Sequence, residues 1–473
     1  MGKKNLKRSG VILLFLLISV FSYAEIKLPS IFGDHMVLQQ QTDAAIWGKA
    51  TAGKAVRLVT SWNKKSYSAQ ADKQGNWKVK VKTPQAGDPY EITISDGATR
   101  KLKDVLIGEV WVCSGQSNME MPMKGFGRQP ITGSNETIAT SANPNIRLIT
   151  VKLDKSLVPK DEFTGEWKEC LPKNVADFSA TAYFFGKMLQ QALGVPVSLI
   201  NSSWGGTRIE PWISENGIKN FDWVNLPDKK QEGDFSPYIT PTVLFNAMIN
   251  PMVGYGIRGA IWYQGESNRN EPDQYQKLMP GLAENWRAEW GIGDFSFFYV
   301  QIAPYDYGTG GLSSAYLREA QLNASDAVPN FGMACVMDTG EKDCIHPANK
   351  KAAGDRLAYL ALAKTYGKSG FAYSGPVLKE MNVKGSVVYL TFDYADNGLT
   401  SYGKELETFE VAGENKRFYP AKALITGKGV SLCSPSVEKP VAVRYAFKDF
   451  VIGELFNTEG LPASSFRTDN WEK

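Results

Sequence analysis

Ser117, in Gly115-Gln116-Ser117-Asn118-Met119, and His346, in Asp343-Cys344-Ile345-His346-Pro347, are the residues of this chain whose types suit covalent chemistry. An imidazole takes a proton from a serine hydroxyl near neutral pH and passes it on to a leaving group. The 473 residues contain only two histidines, His35 and His346. Asp343 stands three positions before His346, so a turn would bring its carboxylate onto Nδ1, fixing the tautomer and stabilising the imidazolium. Ser117 as nucleophile, His346 as base and Asp343 as orienting acid read as a serine hydrolase. His35 precedes Met36-Val37-Leu38 in a β-rich amino-terminal stretch and reads as structural.

The segments around these residues explain how they would be positioned. The apolar run Val105-Leu106-Ile107 to Val110-Trp111-Val112-Cys113 predicts a buried strand, with Ser114-Gly115-Gln116 as the turn at its carboxyl end, the end of an open α/β sheet where reactive groups collect. Val195 to Ile200 and Ala260 to Tyr263 predict two more strands. They are followed by Asn201-Ser202-Ser203-Trp204-Gly205-Gly206-Thr207-Arg208 and by Gln264-Gly265-Glu266-Ser267-Asn268. A glycine after a strand lets a backbone N–H reach a ligand, and a glutamine amide is an uncharged donor. With the Ser117 N–H, these are the ingredients of an oxyanion hole.

The motifs resemble those of sialate O-acetylesterases and related carbohydrate acetylesterases of the SGNH-hydrolase superfamily. The likeness runs from Leu28-Pro29-Ser30-Ile31-Phe32-Gly33-Asp34-His35-Met36-Val37-Leu38-Gln39 to Gly460-Leu461-Pro462-Ala463-Ser464-Ser465-Phe466-Arg467. It implies an α/β fold, a flavodoxin-like three-layer domain with a parallel sheet and β-sandwich-like segments at both ends. It also implies a Ser117–His346–Asp343 triad, an acetyl-enzyme, and an oxyanion hole from Ser117, Gly206 or Gly205, and Gln264. Gln264 stands where many SGNH enzymes have an asparagine, which leaves Asn268 as the alternative side-chain donor. No cofactor is implied.

Gln116, Asn118, Arg208, Glu266 and Asn268 are the candidate substrate contacts. Arg208 could meet the carboxylate of an anionic sugar, and an ion pair with Glu210 is the equal alternative. Glu266 reads somewhat better as a structural carboxylate. Trp204, Trp212 and Trp262 could stack on sugar, although aromatics beside buried strands more often form core. The expected substrate is an O-acetylated sugar, sialic acid acetylated at O9 first, with acetylated xylan or another glycan as the alternative. A glycosidase using Glu266 and Asp343 would leave Ser117 and His346 idle, and a carbohydrate-binding protein on a hydrolase frame would lack a triad member.

Composition narrows the setting. Residues 1–24, with Lys3, Lys4, Lys7 and Arg8 ahead of an uncharged stretch from Val11 to Phe21 and Ser22-Tyr23-Ala24, read as a secretory signal peptide. The expected product is periplasmic or secreted, with no membrane span after cleavage. The net charge of +4 has no basic runs, which argues against nucleic acid. Five widely spaced cysteines, Cys113, Cys170, Cys335, Cys344 and Cys433, fit no zinc motif, and no metal site is expected. An odd number leaves at least one thiol free or shared between chains, and a Cys335–Cys344 bond would stiffen the loop before His346. Texture divides the mature chain into an amino-terminal β-sandwich module (25–102), a catalytic domain of alternating strands and helices (103–370) and a carboxy-terminal β-rich module (371–473). The sequence sets no oligomeric state.

Overall fold

The computed structural model describes residues 26–230, 234–308 and 310–471. Residues 1–24, expected to form a signal peptide, lie outside the described residues. Six parallel strands form the centre: β1 (Thr99–Gly115), β2 (Asn143–Thr150), β3 (Val197–Ser203), β4 (Gly259–Tyr263), β5 (Ser296–Val300) and β6 (Phe331–Ala334). Their order is β2-β3-β1-β4-β5-β6, with the short antiparallel strand Lys168–Cys170 outside β2. Without β2, the other five follow the flavodoxin-like order. The near-continuous apolar character of β1 from Val105 onward follows from burial on both faces. Alternate side chains point to opposite layers. Val110 and Val112 join one core with Leu278, Trp286 and Leu317, and Trp111 and Cys113 join the other with Phe185, Leu189 and Leu357.

The covering helices are α1 (Ser117–Glu120), α2 (Ala180–Leu193), α3 (Pro272–Trp290), α4 (Ser313–Asn323) and α5 (Lys350–Leu360). Ser179 caps α2 by accepting the Ala182 N–H, and Gly194 closes it in the left-handed region. Pro347 does not open the helix after His346. That helix starts at Lys350 behind the Asn349 cap, so Pro347 stays in the loop and helps define the bend that carries the histidine.

β1 is unusually long because it serves two layers. Its first half pairs antiparallel with Gly87–Ser95, and its second half lies between β3 and β4. The amino-terminal strands are therefore hydrogen-bonded into the same strand that delivers Ser117. The buried Glu109 fixes this junction, accepting from Gln40 (2.6 Å), Arg258 (2.7 Å) and Tyr366 (2.8 Å). Beyond Gly375, two four-stranded antiparallel sheets and a two-stranded one build the carboxy-terminal region. Buried Arg318 of α4 docks it, reaching Ser465 Oγ and the Lys448 carbonyl. Among the described residues, no helix is long and apolar enough to cross a membrane, and all five cysteines are free thiols. Cys335 and Cys344 turn to Gln301 and to the His346 carbonyl instead of to each other.

Candidate active site

At the carboxyl end of β1 the chain reverses through Gly115, whose φ of +137° and approach to β4 (a Cβ would lie 2.2 Å from the Tyr263 carbonyl oxygen) admit only glycine. Ser117 then begins α1, half-buried, with its Oγ 2.8 Å from His346 Nε2. These two loops, 229 positions apart in the chain, meet as the sequence predicts.

The third partner differs. His346 Nδ1 lies 2.8 Å from Gln129 Oε1. Asp343 is exposed, and no hydrogen bond joins it to the imidazole among the described residues. The sequence gives Gln129 no distinguishing mark: it is a polar residue in a glycine-containing loop. Its nearness in sequence to Ser117 is the one available signal. Phe126 of the same loop packs its ring edge-on to the imidazole at 5.4 Å. Burial and the neighbouring Lys350 cation push the His346 pKa down to about 4, so the ring is neutral at pH 7 and its Nε2 lone pair is free to accept a proton.

Asn118 does not face substrate. It is 1% exposed, its Nδ2 donates to Glu266 Oε1 (2.6 Å) and the Ile345 carbonyl (3.2 Å), and its Oδ1 accepts from Lys350 Nζ. The Asn118 amide thus ties the serine helix to the residue before His346. Glu266, also buried, is a structural carboxylate here; burial raises its pKa, and burial brings Lys350 down to about 7. Gln116 is turned inward, its Oε1 facing the Gly265 and Ser267 amides at 3.4 Å.

The expected oxyanion donors separate into two sets. Gln264 Nε2 is fully engaged by the Thr207 carbonyl (3.1 Å) and Asn268 Oδ1 (2.8 Å). Asn268 in turn accepts from the Ile209 N–H (3.0 Å) and donates to Glu210 (3.1 Å). The backbone donor and the carboxylate fix which way both amides point, so Gln264 has no hydrogen to spare and Asn268 keeps one beyond its bond to Glu210. The Gly205 N–H is taken by the Glu120 carboxylate. Among the described residues, the Ser117 and Gly206 amides have no acceptor within the protein. Gly205 lies against the nucleophile: a Cβ there would stand 3.2 Å from Ser117 Cβ.

Arg208 is paired with Glu210 (2.8 Å) and Glu271 (3.4 Å). Trp212 and Trp262 are core. Trp204 is half-buried beside Tyr238, with ring centroids 6.2 Å apart, and Tyr238 is 46% exposed and next to Gly206. The second histidine, His35, pairs through Nδ1 with Asp104 (2.6 Å). Asp104 lies in the first half of β1 and Gly115 at its end, about 35 Å apart along an extended chain. His35, Asp104 and Glu169 form a carboxylate–imidazole cluster there, but Arg147 Nη2 sits on Asp104 at 2.8 Å, a cation where a metal would have to bind.

Residues 107–363 match the family described as carbohydrate esterase, sialic acid-specific acetylesterase. The sialate O-acetylesterase of Rattus norvegicus is 28% identical over 85% of this chain and 85% of its own length, and that of Homo sapiens is 28% identical over 89% and 87%. A crystal structure of a carbohydrate acetylesterase from Xanthomonas citri is 34% identical, covers 94% of this chain and all of its own, and superposes with a TM-score of 0.86.

Proposed function

Because the chain belongs to the carbohydrate esterase family of sialic acid-specific acetylesterases, and is accordingly a carboxylic ester hydrolase, we propose that it removes O-acetyl groups from carbohydrates through a covalent acetyl-enzyme on Ser117. The observation that carries this reading is the 2.8 Å approach of His346 Nε2 to Ser117 Oγ, at the carboxyl edge of a parallel sheet and beside two uncommitted backbone amides. His346 takes the hydroxyl proton as Oγ attacks the acetyl carbonyl, and the oxyanion is held by the Ser117 and Gly206 N–H groups. The imidazolium then protonates the departing sugar oxygen. Water, deprotonated by the same nitrogen, attacks the acetyl-enzyme, and acetate leaves as Oγ regains its proton. The exposed face of Tyr238 with Trp204 offers a sugar ring a wall beside the acyl position.

The curated relatives make O-acetylated sialic acid the first substrate to examine. One observation favours a neutral glycan such as acetylated xylan: Arg208, the residue placed to meet a sugar carboxylate, already serves two protein carboxylates. The test is hydrolysis of 4-nitrophenyl acetate by the mature protein and by Ser117→Ala, followed by acetate release from O-acetylated sialic acid and from acetylated xylan. Ser117→Ala is expected to lose at least about 10³-fold in kcat, and a variant with wild-type turnover would overturn the serine mechanism.

A further inference from the structure

We propose that Gln129, a neutral amide, is the positioning residue of the catalytic histidine, and that Asp343 takes no part in holding the imidazole. The proposal rests on the Ser117–His346 reading and assigns the partner that reading leaves open. A serine base works only if Nε2 presents its lone pair to Oγ, so Nδ1 must carry the hydrogen and needs an acceptor. Gln129 Oε1 lies 2.8 Å from Nδ1, and an amide oxygen can only accept, which selects that tautomer.

The loop that carries Gln129 is built to hold this position. The Gln129 N–H closes a turn onto the Phe126 carbonyl (3.1 Å), so Phe126 and Gln129 both reach the imidazole, one by its ring edge and one by its amide. Three residues on, the Thr132 N–H donates to the Ala348 carbonyl (3.0 Å), tying this loop directly to the histidine loop. From the other side, Asn118 holds the Ile345 carbonyl.

An amide orients without compensating charge. When Nε2 takes the Ser117 proton, the ring becomes cationic and the Nδ1–H stays with the ring, donating to a dipole where a carboxylate would supply a full negative charge. The titratable and charged groups on the surrounding elements are Glu120 on α1, Lys124 and Arg128 on the Gln129 loop, Glu266 behind Asn118, Lys350 on α5, and Glu341, Lys342, Asp343 and Cys344 on the histidine's own loop. Glu341 is turned to the Ala348 N–H (2.7 Å), Glu120 to the Gly205 N–H and Glu266 to Asn118. Burial of the ring disfavours its protonation first, and Lys350 is the charge that adds to it. The acidic limb of kcat/KM therefore falls below the ordinary histidine range, and activity persists into mildly acidic solution.

The experiment follows kcat and KM for 4-nitrophenyl acetate against pH for the wild type, Gln129→Ala, Gln129→Glu, Asp343→Ala and Ser117→Ala, with thermal melting of each. Gln129→Ala is expected to lower kcat about 10²-fold with KM nearly unchanged. Gln129→Glu should keep most of the turnover and move the acidic limb up by about one pH unit or more, because a carboxylate stabilises the imidazolium. Asp343→Ala should stay within about threefold of wild type. Asp343→Ala losing 10²-fold or more while Gln129→Ala stays near wild type would overturn the assignment, as would an acidic limb that Gln129→Glu leaves in place. A fully active Ser117→Ala would instead remove the serine reading itself, so the two failures are distinguishable.

Discussion

After β3 the chain runs Trp204-Gly205-Gly206-Thr207, and after β4 it runs Gln264-Gly265-Glu266-Ser267-Asn268, the two turns flanking the strand that delivers Ser117. Both contain glycine and both leave the sheet at the same edge. In the β4 turn both Gln264 amide hydrogens are committed and one of Asn268's goes to Glu210, Gln264 and Asn268 are buried, and the Gln264 carbonyl takes the Tyr275 hydroxyl at 2.8 Å. The β3 turn is partly exposed, keeps an uncommitted amide at Gly206 and touches the nucleophile through Gly205. A buried donor that already has its partner cannot answer a developing charge without first breaking a bond worth about 1 kcal/mol or more. An open amide meets it at no such cost. On the proposed mechanism the β3 turn is therefore the one that meets the oxyanion, and the β4 turn is the scaffold behind it.

The largest expected effect tests the open turn. In Gly205→Val the new side chain meets Ser117 Cβ at 3.2 Å and Glu120 Oε2 at 2.9 Å, so the acyl position is narrowed while the buried scaffold stays intact. We expect kcat on 4-nitrophenyl acetate to fall about 10²-fold or more, with a melting temperature within a few degrees of wild type. A wild-type kcat would show that the carbonyl sits elsewhere. In the closed turn, Asn268→Ala strips partners from the Ile209 N–H, the Gln264 amide and Glu210. Urea unfolding should report a loss of about 2–3 kcal/mol, with kcat/KM of the folded fraction within about tenfold. Unchanged stability with a 10²-fold or greater loss of turnover would return Asn268 and Gln264 to the oxyanion hole.

The same contrast explains what can be read from the sequence. Strand ends, glycine turns and the Ser117 and His346 loops are legible because backbone period and steric permission are written locally, as in the apolar run of β1 and in Gly115. The division of labour between the two turns is not, since it depends on which donors find partners across the fold. Gln264 looks like a free amide until Thr207 and Asn268 are placed beside it. Asp343 has the right spacing for an orienting acid, but spacing does not say which way a turn curves. Gln129 occupies the position through a contact between residues 217 apart in the chain. Nor does texture reveal that one strand, Thr99–Gly115, carries hydrogen bonds of both the amino-terminal sheet and the catalytic one.

The smallest expected effect concerns the residue that joins the two turns. Arg208 follows the open turn, but its guanidinium engages both oxygens of Glu210 (2.8 and 3.3 Å) and reaches Glu271 (3.4 Å). Glu210 is buried and also takes the Asn268 amide, so the pair clamps the open turn to the closed one. A sugar carboxylate would meet a guanidinium whose charge two protein carboxylates already balance, so it would gain less than from an unpaired arginine. Arg208→Gln should therefore leave the ratio of kcat/KM for O-acetylated sialic acid to that for acetylated xylan within about twofold of wild type. A tenfold fall in that ratio, about 1.4 kcal/mol of discrimination, would mean that the arginine leaves its protein partners for the substrate, and the anionic sugar would then be the ligand for which this edge of the sheet is shaped.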